Sequence, residues 1–384
     1  MQGKGKSMYN DRQAMERRRR TQIRNWLILI VLVIGVLVGL RIISTMGKTT
    51  EISATTLPCY AGQDVTPFGD NVLYYDGASI HCLTSTGAVR WSFPVGAGAS
   101  FSVSNTHLVA WVGSQLFIVD RNGNPSYNEN MGAEVQFARV GESYAAVVIG
   151  EDTSPDLVVK DLQGAQVDEE VDAFGGMLLL DVGFYGEKGQ YMWTLALDAY
   201  GTAINTVLNT FQVGKMNTGE VSLGENLAYK VLFEDSRLRV FTTQQMYTYD
   251  YKAVQDVNST MLVYGWKLID AYIPARGSAS MLLAPSSQTD TTTYALTELR
   301  VLSGNLDRRY ALPSTCVGAA VQGKNLYAIS AEYLYHADID SQRFYAYGLP
   351  LPGGVQATGF IGLTSNGRAL VTSGDTVYSV ALPQ

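Results

Sequence analysis

Asp168, Glu169, Glu170 and Asp172 put four carboxylates into one short stretch. Such a run can hold Ca²⁺ through hard oxygen ligands, or supply the paired acids that hydrolyse a glycosidic bond. Either use requires the carboxylates to converge, and the local backbone decides that. On a strand, successive side chains point to opposite faces, which splits the run; on a loop the run is simply solvated. Asp120-Arg121-Asn122-Gly123-Asn124 has the oxygen-rich look of a calcium loop. It lacks the later bidentate Glu of such loops, and an Asn-Gly hairpin turn accounts for the same residues.

The remaining chemical candidates are few. His81, His107 and His336 are the three histidines, each in or beside a strand-like run. His81 and Cys82, as strand neighbours, point to opposite faces, a poor geometry for a shared metal; structural histidines are expected. Cys59, Cys82 and Cys316 are an odd number of cysteines with no zinc or redox spacing. A Cys59–Cys82 bridge is open to a chain outside the cytoplasm, whereas three separate thiols packed as small apolar residues is the plainer reading. No HExxH, GxSxG, P-loop or strand–GxGxxG–helix pattern occurs. Asn258-Ser259-Thr260 matches a glycosylation sequon, a pattern short enough to arise by chance. The sequence therefore assigns no catalytic residue, no cofactor-binding residue and no metal ligand.

The chain has 384 residues and a formal net charge of −7. Residues 1–24 carry eight basic and two acidic side chains, including Arg17–Arg20 and Arg24, while residues 42–384 hold 19 basic and 33 acidic. The acidic bulk argues against nucleic acid as a partner, since a phosphate backbone calls for clustered Lys and Arg.

Directly after the basic cluster, Trp26–Leu40 is an unbroken apolar run, extended past Arg41 by Ile42 and Ile43. Eighteen residues of helix span about 27 Å at ~1.5 Å each, close to a hydrocarbon core of about 30 Å. Arg41 at the end can snorkel to the headgroups. Basic flanks stay cytoplasmic, so the C-terminal region is expected outside the membrane. A cleaved signal peptide would have a shorter apolar region and a small-x-small site close behind it, and IISTMGKTT offers none. The expected organisation is a disordered basic tail at 1–24, a signal-anchor helix at 25–44, a linker at 45–56 and a β domain at 57–384. The bilayer is thus one expected partner, through the helix.

From Leu57 onward, short runs rich in Tyr, Val, Thr and Leu alternate with Gly, Asn, Asp and Ser, as strands and turns do. The chain holds 38 glycines and 23 tyrosines, enough to mark many turns and fill many half-buried sheet faces. A turn ending in Gly recurs, with a large apolar residue four positions later: Thr86-Gly87 before Trp91, Asn122-Gly123 before Tyr127, Thr218-Gly219 before Leu223. Related turns are Gln163-Gly164, Asp250-Tyr251-Lys252, Ser303-Gly304 and Asp340-Ser341. A period near 40 residues marks propeller blades, so the expectation is an all-β propeller of seven or eight blades. Closure removes the end blades that an open stack would expose. The last strand, Thr376–Leu382, is expected to complete a blade begun near Pro58–Tyr75. Two units are long: 174–224, where Tyr200-Gly201 reads as a hairpin tip, and 260–313, where Ser286–Thr293 reads as an extended loop. Protrusions of this kind often carry function.

The layout resembles a bacterial family of single-pass membrane proteins with a propeller ectodomain and no assigned function. The resemblance rests on the Arg-rich stretch before Trp26–Ile43, the Leu57-Pro58-Cys59 segment and the repeats. Thr86-Gly87-Ala88-Val89-Arg90-Trp91 is also similar to the Thr-Gly-x-x-x-Trp of quinoprotein-type propeller repeats. That similarity implies a tryptophan docked on the neighbouring blade. The aspartate of that repeat is replaced by Leu83, and the adjacent cysteine pair common in quinoprotein dehydrogenases is missing. The family implies a fold and no activity. The expected function is a membrane-anchored extracytoplasmic binding or scaffold module, without catalysis, for a protein, peptide or cell-wall partner. The alternative is an exported enzyme acting on carbohydrate or a redox substrate through carboxylates lining the channel. A sensor role ranks last, because the tail is too short for a folded output domain.

Overall fold

Short apolar runs with a turn every few residues leave the chain one economical solution, the antiparallel meander, and it is repeated throughout the computed structural model. The structure describes residues 52–383, apart from 172, 187, 235, 275, 276, 291 and 292. The basic tail, the apolar helix Trp26–Ile43 and most of the 45–56 linker lie outside the described residues. Among the described residues no helix is long and apolar enough to cross a membrane.

Blade 1 comprises Thr66–Phe68, Asn71–Tyr75, Ser79–Thr84 and Val89–Pro94. Blade 2 comprises Ser100–Val103, His107–Val112, Gln115–Asp120 and Pro125–Asn130. Blade 3 comprises Val135–Val140, Tyr144–Glu151, Ser154–Asp161 and Gln166–Glu170. Blade 4 comprises Leu178–Tyr185, Tyr191–Asp198, Asn205–Gln212 and Met216–Ser222. Blade 5 comprises Ala228–Glu234, Arg237–Thr242, Gln245–Tyr249 and Met261–Leu262. Each is a separate four-stranded sheet in chain order.

The next sheet has seven strands: Trp266–Tyr272, Ser280–Pro285, Leu296–Ser303, Leu306–Gln322, Asn325–Ser330, Tyr333–Asp338 and Tyr345–Gly348. Its 17-residue strand pairs near its start with Leu296–Ser303 and near its end with Asn325–Ser330. It is the outer strand of blade 6 and the inner strand of blade 7. Counted by sheets the propeller has seven members; counted by four-strand units it has eight, the two values expected from the repeat.

Blade 8 closes the ring. Gly359–Thr364, Arg368–Ser373 and Thr376–Ala381 take Ala54–Tyr60, from the other end of the domain, as their outermost strand. The expected clasp is therefore present, made by Ala54–Tyr60; Asn71–Tyr75 belongs to blade 1. Among the described residues eight apolar clusters fill the interfaces. One joins blades 1 and 2 through Leu73, Ile80, Leu108 and Phe117, and another joins blades 8 and 1 through Leu370, Val377, Val72 and Leu83. Every blade thus buries both faces, which is why its middle strands read as nearly continuous apolar runs.

Strand alternation defines two faces. Turns between first and second strands, and between third and fourth, lie on one, the turn face. Loops between second and third strands, and the blade-to-blade linkers, lie on the other, the linker face. On the turn face the outer strands of six of the eight blades latch onto the next blade. The Trp91 indole N–H donates to the Arg121 carbonyl at 3.0 Å, and its ring covers Gly123. Tyr127 covers Gly164, while the Ser126 hydroxyl donates to the Leu162 carbonyl. The Gly214 N–H donates to Asp168 at 2.7 Å, and the Thr218 hydroxyl donates to the Tyr251 carbonyl at 2.7 Å. Tyr310 and Arg308 donate to the Ile339 carbonyl. Leu57 and Pro58 pack on Gly87.

One expected turn is corrected. Thr218-Gly219 lies inside the strand Met216–Ser222, and the turn of blade 4 is at Gly214, with φ +71°. Gly219 is glycine for a different reason. A Cβ there would stand 2.1 Å from the Lys252 carbonyl oxygen of blade 5.

Candidate functional site

The inner strands line the central channel, and six of the eight carry a one-residue bulge near the linker face. The irregularities fall at Val135/Phe137, Leu179/Asp181, Ala228/Lys230, Leu268/Asp270, Cys316/Gly318 and Phe360/Gly362. A bulge bends its strand and re-aims the side chains that follow it. In blades 4, 5 and 6 the residues after the bulge are Asp181, Lys230 and Asp270.

Asp181 receives the Arg139 side chain of blade 3 at 2.8 Å, an ion pair across two blades that is partly open to solvent. Among the described residues Asp270 has no such cation. Its Oδ2 accepts the Val321 N–H of blade 7 at 2.8 Å. Burial raises the Asp270 pKa above the usual carboxylate range, against the opposing pull of the Val321 and Ala271 amides. The group faces a cavity of about 350 Å³ between the inner strands of blades 6, 7 and 8. Ile269, Tyr294, Phe360 and Ile361 supply much of its wall. Gly318 leaves room for this arrangement, since a Cβ there would stand 2.3 Å from Phe360.

A second cavity, of about 420 Å³, sits at the turn-face end of the channel, against blades 1 to 5. Phe184, Tyr185, Phe233, Asn105 and Glu142 line it. The buried Tyr185 hydroxyl finds no hydrogen-bond partner among the described residues, and burial pushes its pKa up. Each cavity presents one carboxyl among the described residues, Asp270 or Glu142. Glycoside hydrolysis by paired acids needs two, roughly 5–9.5 Å apart. No group of three or more His, Cys, Asp or Glu placed to hold a metal occurs among the described residues.

The linker face carries a run of exposed apolar side chains over blades 3 to 6. Val171 lies in the linker after blade 3, Tyr200 and Ile204 in the loop of blade 4, Leu227 in the linker after blade 4, and Leu262 and Tyr264 at the exit of blade 5. Their exposures run from 41% at Leu227 to 73% at Tyr264, values that leave much of each side chain in water. The blade-4 loop is held at its base: Tyr191–Asp198 and Asn205–Gln212 pair in unbroken register, and Asp198 Oδ1 accepts the Gly201 N–H at 2.9 Å. This is the hairpin tip expected at Tyr200-Gly201. The expected extended loop at Ser286–Thr293 behaves differently. It winds through a short 3-10 turn, buries Thr289, ties Gln288 to Thr297 and brings Thr293 to the wall of the Asp270 cavity.

The acidic candidates resolve into local structure. Asp168 is the latch to Gly214, and Glu169 takes a hydrogen bond from Gln166 at 2.9 Å. Glu170 has a pKa raised by burial and by Asp168, and Asp172 lies outside the described residues. Asp120 Oδ1 accepts the N–H groups of Asn122 and Asn124, both at 2.8 Å, so the oxygen-rich segment is a self-bonded turn. Asn258 lies in a 3-10 turn, Val257–Ser259. Cys59, Cys82 and Cys316 are free and buried, with burial pushing their pKa values to about 11, 11 and 12. Cys59 packs between blades 8 and 1, Cys82 between blades 1 and 2, so no bridge joins them.

One constellation escapes a reading by sequence. His81 bonds Ser92 Oγ through Nδ1 at 2.7 Å and Asp76 Oδ2 through Nε2 at 2.6 Å, and its ring stacks on Tyr74. The residue types are those of a hydrolase triad, yet none of the three lines either cavity. The network clips the 76–79 loop to the outer strand of blade 1. His336 does similar work, bonding Asn325 and stacking on Tyr327, and His107 bonds Thr106. Ser92 lies opposite His81 only by cross-strand register, which the sequence does not print.

Closed ring, inner-strand channel and outer-strand latches together define a β-propeller. Solved structures of this shape support that assignment. The chain is similar to BamB from Moraxella catarrhalis, with a TM-score of 0.51 at 9% identity, over 87% of this chain and 98% of that one. It is similar to Sqt1 from Saccharomyces cerevisiae, with a TM-score of 0.54 at 10% identity, over 86% of this chain and all of that one. At such identities the likeness concerns fold alone. No family model matches the sequence, and no curated protein does.

Proposed function

We propose that the chain is a membrane-tethered, extracytoplasmic binding module that holds a protein partner on its linker face. The apolar strip at Val171, Tyr200, Ile204, Leu227, Leu262 and Tyr264 carries the reading. The turn face also exposes Tyr251, Val254, Val257, Tyr272 and Ile273 around blades 5 and 6, while the linker-face strip runs over four successive blades; exposed apolar side chains spread over neighbouring blades are a recognised mark of an interaction surface. Two aromatic residues among them fit the anchor role that Tyr plays at interfaces. The tether is supported by sequence: Arg17–Arg20 and Arg24 before the apolar run Trp26–Ile43 orient the N-terminus toward the cytoplasm. The ring strand Ala54–Tyr60 begins at the turn face, because Ala54 pairs with Val380 and Tyr60 with Thr376.

Site-specific photocrosslinking in intact producing cells tests the reading. A photoreactive residue at Tyr200 or Tyr264 is expected to give one discrete adduct, while one at Val254 or Ile273 on the turn face gives none. Equal labelling from both faces, or no adduct from either, removes the proposal. Protease added outside intact cells is expected to digest the propeller and spare residues 1–24; protection of the propeller overturns the orientation.

A further inference from the structure

We propose that the cavity beside Asp270 is a binding site for an organic cation, an alkylguanidinium or alkylammonium group. The inference deepens the binding role proposed above, since the site lies toward the same face as the apolar strip.

Three features of the cavity point to that chemistry. First, a carboxyl has been placed in it by a bulge. Leu268 pairs with Leu283 and Asp270 with Leu282, leaving Ile269 as the inserted residue. Leu268 packs toward blade 5 and Ile269 toward blade 7, and Asp270 reaches across to blade 7 as well. Without the inserted residue the strand would keep strict alternation. Second, among the described residues no cation pairs with the carboxyl. Two other shielded carboxylates, Asp181 and Glu234, each meet an arginine, at 2.8 and 2.9 Å. Among the described residues no ion pair reaches Asp270. The Val321 amide occupies part of one oxygen and leaves lone pairs for a ligand. Third, the walls suit the apolar body and delocalised charge of such a cation. Phe360 and Tyr294 offer aromatic surface, and Ile269 and Ile361 offer aliphatic surface. The volume, about 350 Å³, admits one extended side chain or a small amine.

Burial of Asp270 holds its pKa up in the free protein. A cation seated against it supplies the missing countercharge, so the ionised carboxylate and the ligand stabilise one another. The same chemistry has two sources: a free small amine, or a Lys or Arg side chain of the partner that covers the linker face.

The probe is n-butylguanidinium, with neutral, nearly isosteric n-butylurea as control. Binding to the full chain in detergent is followed by the methyl resonances of Ile269 and Ile361. Butylguanidinium is expected to shift both, at least tenfold more tightly than butylurea. Asp270→Asn keeps an acceptor for the Val321 N–H, so the ring is expected to fold with unchanged methyl spectra elsewhere. In that variant the two probes are expected to bind alike. A second variant, Phe360→Leu, is expected to weaken butylguanidinium several-fold and leave Asp270 in place. Micromolar binding marks a free amine as the occupant; millimolar binding marks a side chain whose remaining affinity comes from a partner surface. Equal affinity for both probes in the unaltered protein overturns the inference, as does a cation preference that survives Asp270→Asn. The measurement needs no partner, so its failure leaves the crosslinking result on the linker face standing, and the reverse holds too.

Discussion

Gly123 is where the repeat and the physics of the ring can be separated by one substitution. Its φ of +86° lies where a Cβ is strained, and that Cβ would stand 2.7 Å from the Trp91 ring of the preceding blade. Two costs follow for Gly123→Ala. Left-handed backbone costs roughly 1–2 kcal/mol for a residue with a Cβ. Forcing a methyl into a packed ring costs about 1–3 kcal/mol more, because Trp91 is also pinned by its hydrogen bond to the Arg121 carbonyl at 3.0 Å. The sum is about 2–5 kcal/mol. The backbone part belongs to Gly123 alone, whereas the steric part belongs to the pair.

A double-mutant cycle with Trp91→Leu tells them apart. Trp91→Leu loses the indole hydrogen bond, about 0.5–1.5 kcal/mol, together with the packing of the larger ring. In that background Gly123→Ala is expected to cost only the backbone part, leaving a coupling of about 1–3 kcal/mol. The assay is urea unfolding of the four proteins, followed by far-UV circular dichroism so that loss of the indole does not alter the signal. Strict additivity would falsify the latch: Gly123 would then be glycine for its own turn, and Trp91 would contribute nothing between blades.

Two predictions concern titration. Asp76, held by His81 and by the Ser79 and Ala78 amides, has its pKa lowered to about 2. A depressed carboxylate stabilises the fold above its unfolded value near 3.8 and loses that contribution as pH falls toward 2; carboxyl-carbon NMR is expected to show Asp76 titrating near the bottom of that window, and a normal titration near 4 would exclude the His81 clip. For the three cysteines the sign is opposite. Burial keeps the thiols neutral to about 11 or 12, against 9.0 in the open chain, so they favour folding less as pH rises from 9 towards 11. Maleimide at pH 8 is expected to label none of the three in the native protein and all three after denaturation; rapid native labelling would show a thiol at the surface.

How far the sequence carries the fold depends on which residues are asked. Leu108–Ile118 and Ala145–Val159 are apolar enough, with turn residues between, to read directly as strands, because burial on both faces leaves no alternation to misjudge. Trp91 and Tyr127, four residues beyond a glycine, report the latch from local spacing alone. Thr218-Gly219 has the same spacing and a different meaning, since the pressure on Gly219 comes from the Lys252 carbonyl of another blade. The Asp270 cavity is hidden more deeply. Nothing in Leu268-Ile269-Asp270 announces a bulge, and the walls at Tyr294, Val317 and Phe360 come from three successive blades that meet only when they pack together. The Asp76–His81–Ser92 network needs register, and the apolar rim needs to be seen on one face before it differs from scattered surface residues.

The two faces of the ring follow different rules, and the difference bears on function. On the turn face the chain repeats itself: a turn in the third-to-fourth position, often glycine, receives the outer strand of the preceding blade. Repetition there serves closure, since neighbouring blades must dock on one another and six of the eight do so at this turn. Blade 8 fits the rule by exception, because its outer strand comes from Ala54–Tyr60 and still packs on Gly87 of blade 1. The linker face carries no such demand. Its loops vary in length, from the two residues between Arg237–Thr242 and Gln245–Tyr249 to the ten between Ser280–Pro285 and Leu296–Ser303. Variation there costs the ring little, so the exposed apolar side chains of blades 3 to 6 are not explained by folding. Truncating Tyr264 or Tyr200 to Ser should therefore leave the unfolding midpoint in place, whereas the Gly123→Ala change moves it. A rim that destabilised the ring when truncated would belong to the fold after all, and the linker face would lose its claim to a partner.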